Sequence, residues 1–286
     1  MDNNFMKIAI TGSTGLFGHG LVQVIQRRQR VLPISRAEAD ITKFNEVRSA
    51  FLRLRPDVVI HSAAIPSPDV CEANPALAYL VNVHGTCHVA EAASEIGAAL
   101  AYISTDAVFD GKKDHPYMES DLTIPRTVYG RTKLRGEQIV AKLPKYWIFR
   151  VSVLFGPGKT NFVEKGLQTL AAGEEYVVAS DQMGSATYTL DAAEKILEVV
   201  ESGRCGLYHL SNQGACTRYE LATHAAALAG LDVGGVSGVP SDLMGRRARR
   251  LKYAVMEMQA LKNAEFSLPR PWQEALADYL KTVLPH

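Results

Sequence analysis

The chain has 286 residues, of which 47% are hydrophobic and 21% are charged, and its formal net charge at pH 7 is +1. This length suits one large α/β domain or a core domain with a smaller companion. A charge so close to zero gives no bulk attraction to nucleic acid or to a membrane surface, so neither is an expected partner.

The amino end of the chain is polar through residues 1–6, and a short apolar run at residues 7–11 follows it. That run contains Thr11 and leads into Gly12, so it is too short for a signal peptide or a membrane span. We therefore predict a cytoplasmic location, and we assign the run to the first strand of the fold.

Apolar runs and helical patterns alternate from there as far as Val151. Strands are predicted at residues 7–11, 30–34, 58–60, 100–104 and 147–151. Helices are predicted at residues 16–28, 40–54, 75–96 and 129–143. Each strand is continuously apolar and helices separate the strands, which is typical of a parallel sheet covered on both faces.

The regular alternation loosens after Phe155, where Gly156, Pro157 and Gly158 follow. Further helices are predicted at residues 162–172, 190–201, 217–229 and 272–284, and one more sheet strand at residues 207–210. The order of elements indicates an α/β protein built on a Rossmann-type doubly wound parallel sheet.

Two features of the composition bear on ligands. The basic segment at residues 246–250 is short, and we interpret it as a solvated face or a ligand-phosphate site rather than a nucleic-acid arm. The cysteines lie far apart and have no companion histidines at metal spacing: Cys71, Cys87, Cys205 and Cys216. We therefore expect reduced thiols and no metal site.

A glycine-rich turn joins the first strand to the first helix. The missing side chains of Gly12, Gly15 and Gly18 let the backbone approach a pyrophosphate, whose charge suits a helix amino terminus. An ordinary glycine-rich turn is the alternative, but the order of strand, turn and helix favours dinucleotide binding. The expected contacts are Gly12, Ser13, Thr14, Gly15, Leu16, Phe17 and Gly18.

The end of the second strand decides between NAD and NADP. An acidic residue there favours a free ribose hydroxyl, whereas an arginine favours a 2′-phosphate. The chain has Ser35 and Arg36 at this point, so NADPH is the preferred cofactor, with NAD as the alternative because Glu38 is close. The other expected cofactor contacts follow the second and third strands: Asp40, Ile41, Ser62, Ala63 and Ala64.

Tyr129 and Lys133 are four residues apart on a predicted helix and therefore share one face. A free tyrosine has a pKa of roughly 10, and a fixed cation nearby favours its ionised form. We expect such a phenol to exchange a proton with a substrate oxygen near neutral pH. Ser104 or Thr105, after the fourth strand, offers a hydroxyl for the same oxygen, and the alternative role for either is to cap the strand end.

In these motifs the chain resembles the extended short-chain dehydrogenase/reductases, and within them the dTDP-4-dehydrorhamnose reductase family. The resemblance covers nearly the whole chain. The resemblance rests on residues 12–18, 40–42, 104–111, Pro125, 129–137, 161–162 and 181–187. The Ser-Thr-Asp-x-Val-Phe-Asp-Gly stretch at 104–111 and the Asp-Gln-x-Gly segment at 181–184 are specific to this group.

Carried over by position, the resemblance implies Thr105, Tyr129 and Lys133 as catalytic residues, and Tyr129 and Lys133 also as cofactor contacts. It also implies that Asp106 contacts the sugar. The full set of residues that it implies for the substrate is Asp106, Val153, Asn161, Phe162, Gln182 and Thr187. The family's fold is a Rossmann core with a smaller, mixed α/β carboxyl-terminal substrate domain. The expected core covers residues 1–156 with a returning portion around 185–212, and the smaller domain covers 157–184 and 213–286.

The implied activity is NADPH-dependent reduction of the 4-keto group of a nucleotide-linked 6-deoxyhexose, with Tyr129 as proton donor. The expected partners are that nucleotide sugar and, as an option, a second copy of the chain in a homodimer. One alternative is an epimerase or dehydratase of the same superfamily that retains NAD, and Arg36 argues against it. The other is a non-catalytic binding subunit of the same fold, like the methionine adenosyltransferase β subunit, for which a complete catalytic set is not required.

The sequence departs from the family's pattern in the sugar pocket. Val153 stands where the rhamnose enzymes usually have a tryptophan that packs on the sugar. Pro66 and Pro68 replace the usual Thr and Val of the loop after the third strand, and Ala186 replaces a proline. The cofactor half and the proton-transfer residues therefore match the family better than the sugar pocket does.

Overall fold

The computed structural model describes residues 5–284 of the chain. The prediction that the chain has no signal peptide rests partly on residues 1–4, which lie outside the described residues. None of the helices in residues 5–284 combines the length and the apolar composition that crossing a bilayer requires.

The strands and α-helices are numbered separately in chain order. The strands are β1 (Lys7–Thr11), β2 (Arg30–Ile34), β3 (Val58–His61), β4 (Ala99–Thr105), β5 (Tyr146–Val151), β6 (Leu154–Phe155), β7 (Tyr176–Ala179), β8 (Met183–Gly184), β9 (Thr187–Tyr188), β10 (Gly206–His209), β11 (Cys216–Thr217), β12 (Val236–Val239) and β13 (Tyr253–Ala254). The helices are α1 (Leu16–Ile25), α2 (Phe44–Leu54), α3 (Pro68–Ala73), α4 (Pro75–Tyr79), α5 (Gly85–Glu95), α6 (Val128–Val140), α7 (Phe162–Ala171), α8 (Thr189–Ser202), α9 (Arg218–Leu228), α10 (Gln259–Asn263) and α11 (Trp272–Val283).

Six strands form one parallel sheet in the order β10-β5-β4-β3-β1-β2. Successive side chains of a strand point to opposite faces, and here both faces are buried. Ile8 and Ile10 pack into one apolar cluster with α1 and α8, whereas Ala9 and Val59 pack into another with α2 and α5. The predicted doubly wound parallel sheet is therefore confirmed.

The path of the chain across this sheet reverses at β1. β2 lies on one side of β1, whereas β3, β4 and β5 follow in order on the other. Loops that leave two adjacent strands in opposite directions open a crevice at the carboxyl ends of the strands, where open α/β sheets bind ligands. Gly12 follows β1 and Ser62 follows β3, so both lie at this crevice.

The small sheets of the carboxyl-terminal part lie outside the central sheet. They pair β11, β8 and β13, then β12 with β7, and β6 with β9. Around them, α7, α9 and α11 share an apolar cluster that includes Phe155, Leu221 and Trp272. Because α8 and β10 return to the central sheet, we propose that residues 157–184 and 213–286 form the smaller unit.

The predicted helix at 75–96 is present as one helical run from Pro75 to Glu95, but its middle turn is not α-helical. A π-helical turn, Leu80–His84, separates α4 from α5. The Asn82 amide bridges two elements there: its Oδ1 accepts the Ile65 N–H at 2.8 Å, and its Nδ2 donates to Thr132 Oγ1 at 3.0 Å. A π turn inserts one extra residue into a helix, and here it accompanies the turn of Asn82 toward α6.

Two other predicted features differ from the structure. Asp40 does not cap α2, which begins at Phe44; its carboxylate accepts bonds from the Thr42 N–H and hydroxyl instead. The strands β7 and β12 were not predicted, because Val177, Ser237 and Gly238 give these four-residue segments no clear apolar alternation.

Candidate active site

A cleft of about 550 Å³ opens over the carboxyl ends of the central strands. One end is formed by residues 15–18 together with Ser62 and Ala64, which follow β1 and β3. The middle is formed by residues from α6 and from the loop after β4. The far end is formed by residues of the smaller unit, so the cleft runs from the core into that unit.

The glycine-rich turn is shaped by close backbone contacts. A Cβ at Gly12, whose φ is +70°, would lie 2.7 Å from the backbone of Ala63. A Cβ at Gly18 would lie 2.0 Å from the carbonyl oxygen of Gly12, whereas at Gly15 the nearest atom would be 3.2 Å away. Gly12 and Gly18 therefore hold the turn against its neighbours, and Gly15 lies at the cleft.

The first turn of α1 faces the cleft with its N–H groups available. Its N-cap is Gly15, and no side chain within residues 5–284 caps it. Uncapped N–H groups at the amino end of a helix favour an anion. The bare glycine turn and this helix end fit the pyrophosphate of a dinucleotide, as the sequence predicts.

The expected adenosine side lies beyond the deep cleft. Ser35, Arg36, Asp40 and Ile41 follow β2 and do not line the deep cleft. Four other expected cofactor contacts do not line it either: Gly12, Ser13, Thr14 and Ala63. Arg36 is 86% exposed and its Nε donates to Asp40 Oδ2 at 3.1 Å. Hydrogen bonds from Thr42 lower the pKa of Asp40 despite the opposing effect of burial.

Helix α6 presents Tyr129 and Lys133 to the middle of the cleft. The hydroxyl of Thr127 caps the helix by accepting the Gly130 N–H at 3.0 Å. Gly130 allows the helix to pack closely, since a Cβ there would lie 2.1 Å from the carbonyl oxygen of Ala107. The local sequence therefore sets the distance between α6 and the loop after β4.

Burial governs the pKa values of the two groups. It raises the pKa of Tyr129, and the hydroxyl of Thr105 offsets part of the rise. It lowers the pKa of Lys133 to about 7, which the charge of Glu137 partly offsets. The expectation that Lys133 lowers the pKa of Tyr129 is wrong for the protein alone. The Lys133 ammonium instead lies 4.0 Å from the centroid of the Tyr102 ring.

The structure separates the roles of Ser104 and Thr105. The Ser104 hydroxyl donates to Glu137 Oε1 at 2.5 Å, and Arg150 holds the same carboxylate with bonds of 2.9 and 2.8 Å. Thr105 donates to Asp106 Oδ1 at 2.8 Å and lies beside Tyr129. The Ser104 hydroxyl is therefore bonded to the buried Glu137–Arg150 ion pair, and Thr105 provides the hydroxyl near the Tyr129 phenol.

Asp106 lies next to Thr105 at the wall of the cleft. Burial raises its pKa, while bonds from the hydroxyls of Ser152 and Thr105 and the charge of Arg218 act in the opposite direction. Its Oδ2 accepts the Ser152 hydroxyl at 2.5 Å. The carboxylate therefore orients both hydroxyls and faces the ligand space.

The residues implied for the substrate divide into two groups. Val153, Phe162 and Gln182 line the cleft. Val153 has a φ of +38°, an uncommon conformation for a β-branched residue. The Gln182 Nε2 atom is buried and has no hydrogen-bond partner among the residues that the structure describes, so it is a donor available to a ligand.

Asn161 and Thr187 do not line the cleft. Asn161 caps α7 with its Oδ1, which accepts the Val163 and Glu164 N–H groups. Its Nδ2 donates to the Tyr279 hydroxyl at 2.6 Å. Thr187 is 1% exposed and pairs with Leu154 between β9 and β6. The Asn161 side chain is therefore bonded within the smaller unit, whereas the Thr187 hydroxyl is buried without a hydrogen-bond partner among the described residues.

Of the arginines at the far end, Arg218 was not predicted as a site residue, whereas Arg246 belongs to the basic segment for which a ligand-phosphate site was one interpretation. Arg218, the first residue of α9, lines the cleft with its guanidinium carbon 5.2 Å from the centroid of the Phe162 ring. Burial lowers its pKa, and the charge of Asp106 opposes that effect. Arg246, from the basic segment, joins it in the lining. The capping box at Thr217 marked the start of this helix, but nothing in the sequence pattern distinguished Arg218.

Within residues 5–284, no group of three or more His, Cys, Asp or Glu side chains could hold a metal ion. The reactive and binding groups that line the cleft are hydroxyls, an ammonium, a carboxylate and guanidinium groups. A phenol and a second hydroxyl at one point can exchange a proton with a bound oxygen. The flanking arginines can hold an anionic ligand.

The comparisons with known proteins agree with this arrangement. A sequence model of the family described as "RmlD substrate binding domain" matches residues 6–284. Spore coat polysaccharide biosynthesis protein SpsK of Bacillus subtilis (strain 168) is 38% identical over 277 residues, which cover 96% of this chain and 97% of that protein. A dTDP-4-dehydrorhamnose reductase of Streptomyces griseus is 37% identical over 277 residues, covering 94% of this chain and 91% of its own.

A solved structure is similar over the same extent. The dTDP-4-dehydrorhamnose reductase of Bacillus anthracis str. Ames, in complex with NADP, superposes with a TM-score of 0.94 at 33% identity, covering 97% of this chain and 99% of that chain. The motifs, the family model and these relatives agree along nearly the whole sequence. The chain belongs to the RmlD substrate binding domain family, that of the dTDP-4-dehydrorhamnose reductases within the extended short-chain dehydrogenase/reductases.

Proposed function

We propose that the chain is an NADPH-dependent oxidoreductase that reduces the 4-keto group of a nucleotide-linked 6-deoxyhexose. The observation that carries the proposal is the position of Tyr129, Thr105 and Lys133 in one cleft with the glycine-rich turn. The names of the relatives support it: a dTDP-4-dehydrorhamnose reductase and a dTDP-4-keto-6-deoxy-D-glucose reductase of Streptomyces niveus, 35% identical.

The cofactor is held by groups at the core end of the cleft. N–H groups of residues 15–18 and the amino end of α1 bind the pyrophosphate. Arg36 is placed to meet a 2′-phosphate, and Lys133 to meet the ribose next to the nicotinamide. NADPH supplies a hydride for the ketone carbon when it is bound. A structure of a relative in complex with NADP supports this choice.

Tyr129 donates a proton to the ketone oxygen as the carbon is reduced. Its raised pKa keeps the phenol protonated at neutral pH, so it enters the reaction as an acid. The Thr105 hydroxyl has one proton, which it donates to Asp106 Oδ1 in the protein alone, so it turns from that carboxylate to donate to the same ketone oxygen. The Lys133 ammonium stabilises the phenolate that remains, and that phenolate regains its proton from solvent.

The nucleotide part of the substrate lies at the arginine-lined end. Arg218 and Arg246 are both in the lining and are placed to bind a diphosphate. Gln182 offers its unpaired Nε2 to a carbonyl or hydroxyl of the ligand. A homodimer and a cytoplasmic location stay predictions from the sequence.

The first prediction concerns Tyr129→Phe. We expect purified protein to oxidise NADPH when a dTDP-4-keto-6-deoxyhexose is added, and the variant to lose at least roughly 100-fold in kcat, the scale of removing a positioned acid. The affinity for NADPH, followed by nicotinamide fluorescence, should change little. Tyr219→Phe, at an exposed tyrosine outside the cleft lining, is the matched control and should keep full activity.

The outcomes separate the candidate functions. Equal turnover by Tyr129→Phe and the parent would reject the proton donor but not the reductase. NADPH binding without turnover would favour the non-catalytic subunit. Conversion of a nucleotide sugar without net NADPH consumption, together with NAD that co-purifies, would favour an epimerase or dehydratase.

A further inference from the structure

Helix α3 contacts the helix that carries Tyr129. The buried side chain of Cys71 packs with Val128, and Tyr129 packs against the same cluster. The Glu72 Oε1 atom accepts the Val128 N–H at 2.7 Å. The position of α3 is therefore fixed relative to the start of α6 and to the phenol.

Asp69 of the same helix holds the basic segment at residues 246–250. Its Oδ1 accepts the Ala248 N–H at 2.8 Å, and its Oδ2 accepts a bond from Arg250 Nη2 at 2.5 Å. Arg250 Nη1 also donates to the Ala248 carbonyl oxygen at 3.2 Å. Burial acts to raise the pKa of Asp69, but the bonds from Ala248 and Arg250 outweigh it and hold the pKa below its ordinary value. One ionised carboxylate therefore binds both the backbone and a side chain of the segment.

Few other bonds hold this segment in place. Residues 246–250 include no helix or strand, and no backbone–backbone hydrogen bond joins them to the rest of residues 5–284. Ala248 is buried, and its neighbours in the segment are more exposed. A stretch without backbone bonds has many conformations to lose when it is ordered. Its position therefore depends on Asp69 and on the burial of Ala248.

The segment brings arginines to the cleft. Arg246, Arg249 and Arg250 all belong to the cleft lining. Of the segment's residues, Arg250 forms a salt bridge within the described part of the chain, and its partner is Asp69. The charge of Arg246 acts on Arg218, which lines the same cleft. Cations that are held close together bind an anion strongly, because the anion removes their mutual repulsion.

We propose that Asp69 is a positioning residue for the nucleotide sugar: it holds the basic segment so that Arg246 and Arg249 meet the diphosphate. This role rests on the proposed function, in which the nucleotide part of the substrate lies at the arginine-lined end. Without Asp69 the segment must be ordered each time a substrate binds, and that ordering costs affinity. The reacting groups on α6 are held by other contacts, so the bound substrate reacts at the same rate.

A purely electrostatic role for Asp69 predicts a change of the opposite sign. A carboxylate beside an anion site repels the anion, so removing a charge that did nothing else would tighten diphosphate binding. Removing a positioning residue weakens it. The direction of the change in affinity therefore separates the two roles.

The test measures Kd for dTDP by calorimetric titration of the full chain saturated with NADPH, and then KM and kcat with a dTDP-4-keto-6-deoxyhexose. Asp69→Ala should weaken dTDP about tenfold, raise KM by a similar factor, and leave kcat and the Kd for NADPH within about twofold. Asp69→Asn keeps an oxygen for the Ala248 N–H and should stay within about threefold of the parent. Arg246→Ala should weaken dTDP about tenfold in the parent but about twofold or less in the Asp69→Ala background.

The matched control is Glu174→Ala, which removes an exposed carboxylate between α7 and β7 and should leave all four quantities unchanged. Should Asp69→Ala fail to fold, Arg250→Lys takes its place. It keeps the positive charge but cannot bond both Asp69 and the Ala248 carbonyl, and it should weaken dTDP about fivefold.

Unchanged or tighter dTDP binding in Asp69→Ala, or in Arg250→Lys where that variant replaces it, would overturn the positioning role. So would a fall in kcat at unchanged KM. If dTDP binding weakens as expected but the parent does not reduce the sugar, the positioning role stands and the proposed reductase fails. If the parent reduces the sugar and dTDP binding ignores Asp69, the reductase stands and the positioning role fails.

Discussion

Burial changes the charge of Lys133, the one ammonium group beside Tyr129 on α6. Among the described residues Lys133 makes no salt bridge; the charge of Glu137 acts on Lys133, and the charges of Asp106 and Cys71 act on Tyr129. With its pKa lowered to about 7, the protonated and neutral forms of Lys133 are both populated at neutral pH. An anionic ligand nearby favours the protonated form and raises that pKa.

Proton uptake on NADPH binding follows from this shift. A group whose pKa rises on binding takes up a proton between the free and the bound pKa, so uptake should approach about one proton at pH 8 and about zero at pH 6. Calorimetric titration in two buffers of different ionisation enthalpy measures it. Lys133→Met should abolish the difference between the two pH values. An uptake at pH 8 that survives in Lys133→Met would assign the proton to another group.

The sequence predicts that the side chains of Tyr129 and Lys133 share one site but does not predict what surrounds them. The spacing of Tyr129 and Lys133 predicts one shared helical face, and the structure places both at the cleft. It does not predict that the ammonium rests against Tyr102, because that contact depends on the distance between α6 and β4. Arg218 was missed for the same reason: its position follows from the packing of α9, not from a local pattern.

At the scale of elements, short polar caps fix the helices that surround the cleft. Thr127 begins α6 and Asn161 begins α7, each by accepting backbone N–H groups. Asn161 also reaches the Tyr279 hydroxyl of α11. A residue that the family resemblance implies for substrate binding therefore joins two helices of the smaller unit.

Asn161→Ala should lower the free energy of unfolding by about 1–2 kcal/mol, the cost of losing an N-cap. Urea unfolding followed by circular dichroism measures it. Asn161→Ser keeps a capping oxygen and should recover most of the loss. Unchanged stability combined with a raised KM for the nucleotide sugar would instead show that Asn161 acts in substrate binding.

At this scale, long apolar runs were the sequence feature that predicted secondary structure correctly. Every predicted strand of the central sheet is present, because a strand buried on both faces is continuously apolar. The π turn at Leu80–His84 could not be predicted, since it accompanies bonds from Asn82 to Ile65 and Thr132 that are far apart in the chain. Pairs such as β7 with β12 are too short to leave a pattern.

At the scale of the whole molecule, buried histidines connect stability to pH. His61 of β3 and His209 of β10 are both fully buried. His61 is bonded to the hydroxyls of Thr11 and Thr86. Burial lowers the pKa of each histidine to about 3, helped by the charge of Lys133 for His61 and of Arg150 for His209. Both imidazoles are therefore neutral in the folded protein over the ordinary pH range.

Stability should fall as the pH decreases from about 6.5, because the unfolded histidines then bind protons that the folded ones do not. Well below pH 6.5 each histidine contributes a loss of about 1.4 kcal/mol per pH unit, so the two together cost about 4 kcal/mol between pH 7.5 and 5.0. Urea unfolding at pH 7.5 and 5.0 measures the difference. His115→Gln, at an exposed histidine, should keep the full dependence. Equal stability at the two pH values would show that these histidines become protonated in the folded state.

Because the chain returns to the central sheet at β10, the sequence cannot be cut near the end of β5 without removing a strand of that sheet. The edge strand beside β5 comes from Gly206–His209, after the chain has already built part of the smaller unit. A fragment that stops near residue 156 lacks this strand and leaves β5 with an open edge. During synthesis the central sheet is completed only after residue 209 has emerged, so the core side of the cleft cannot finish folding before the chain between β5 and β10 has been made.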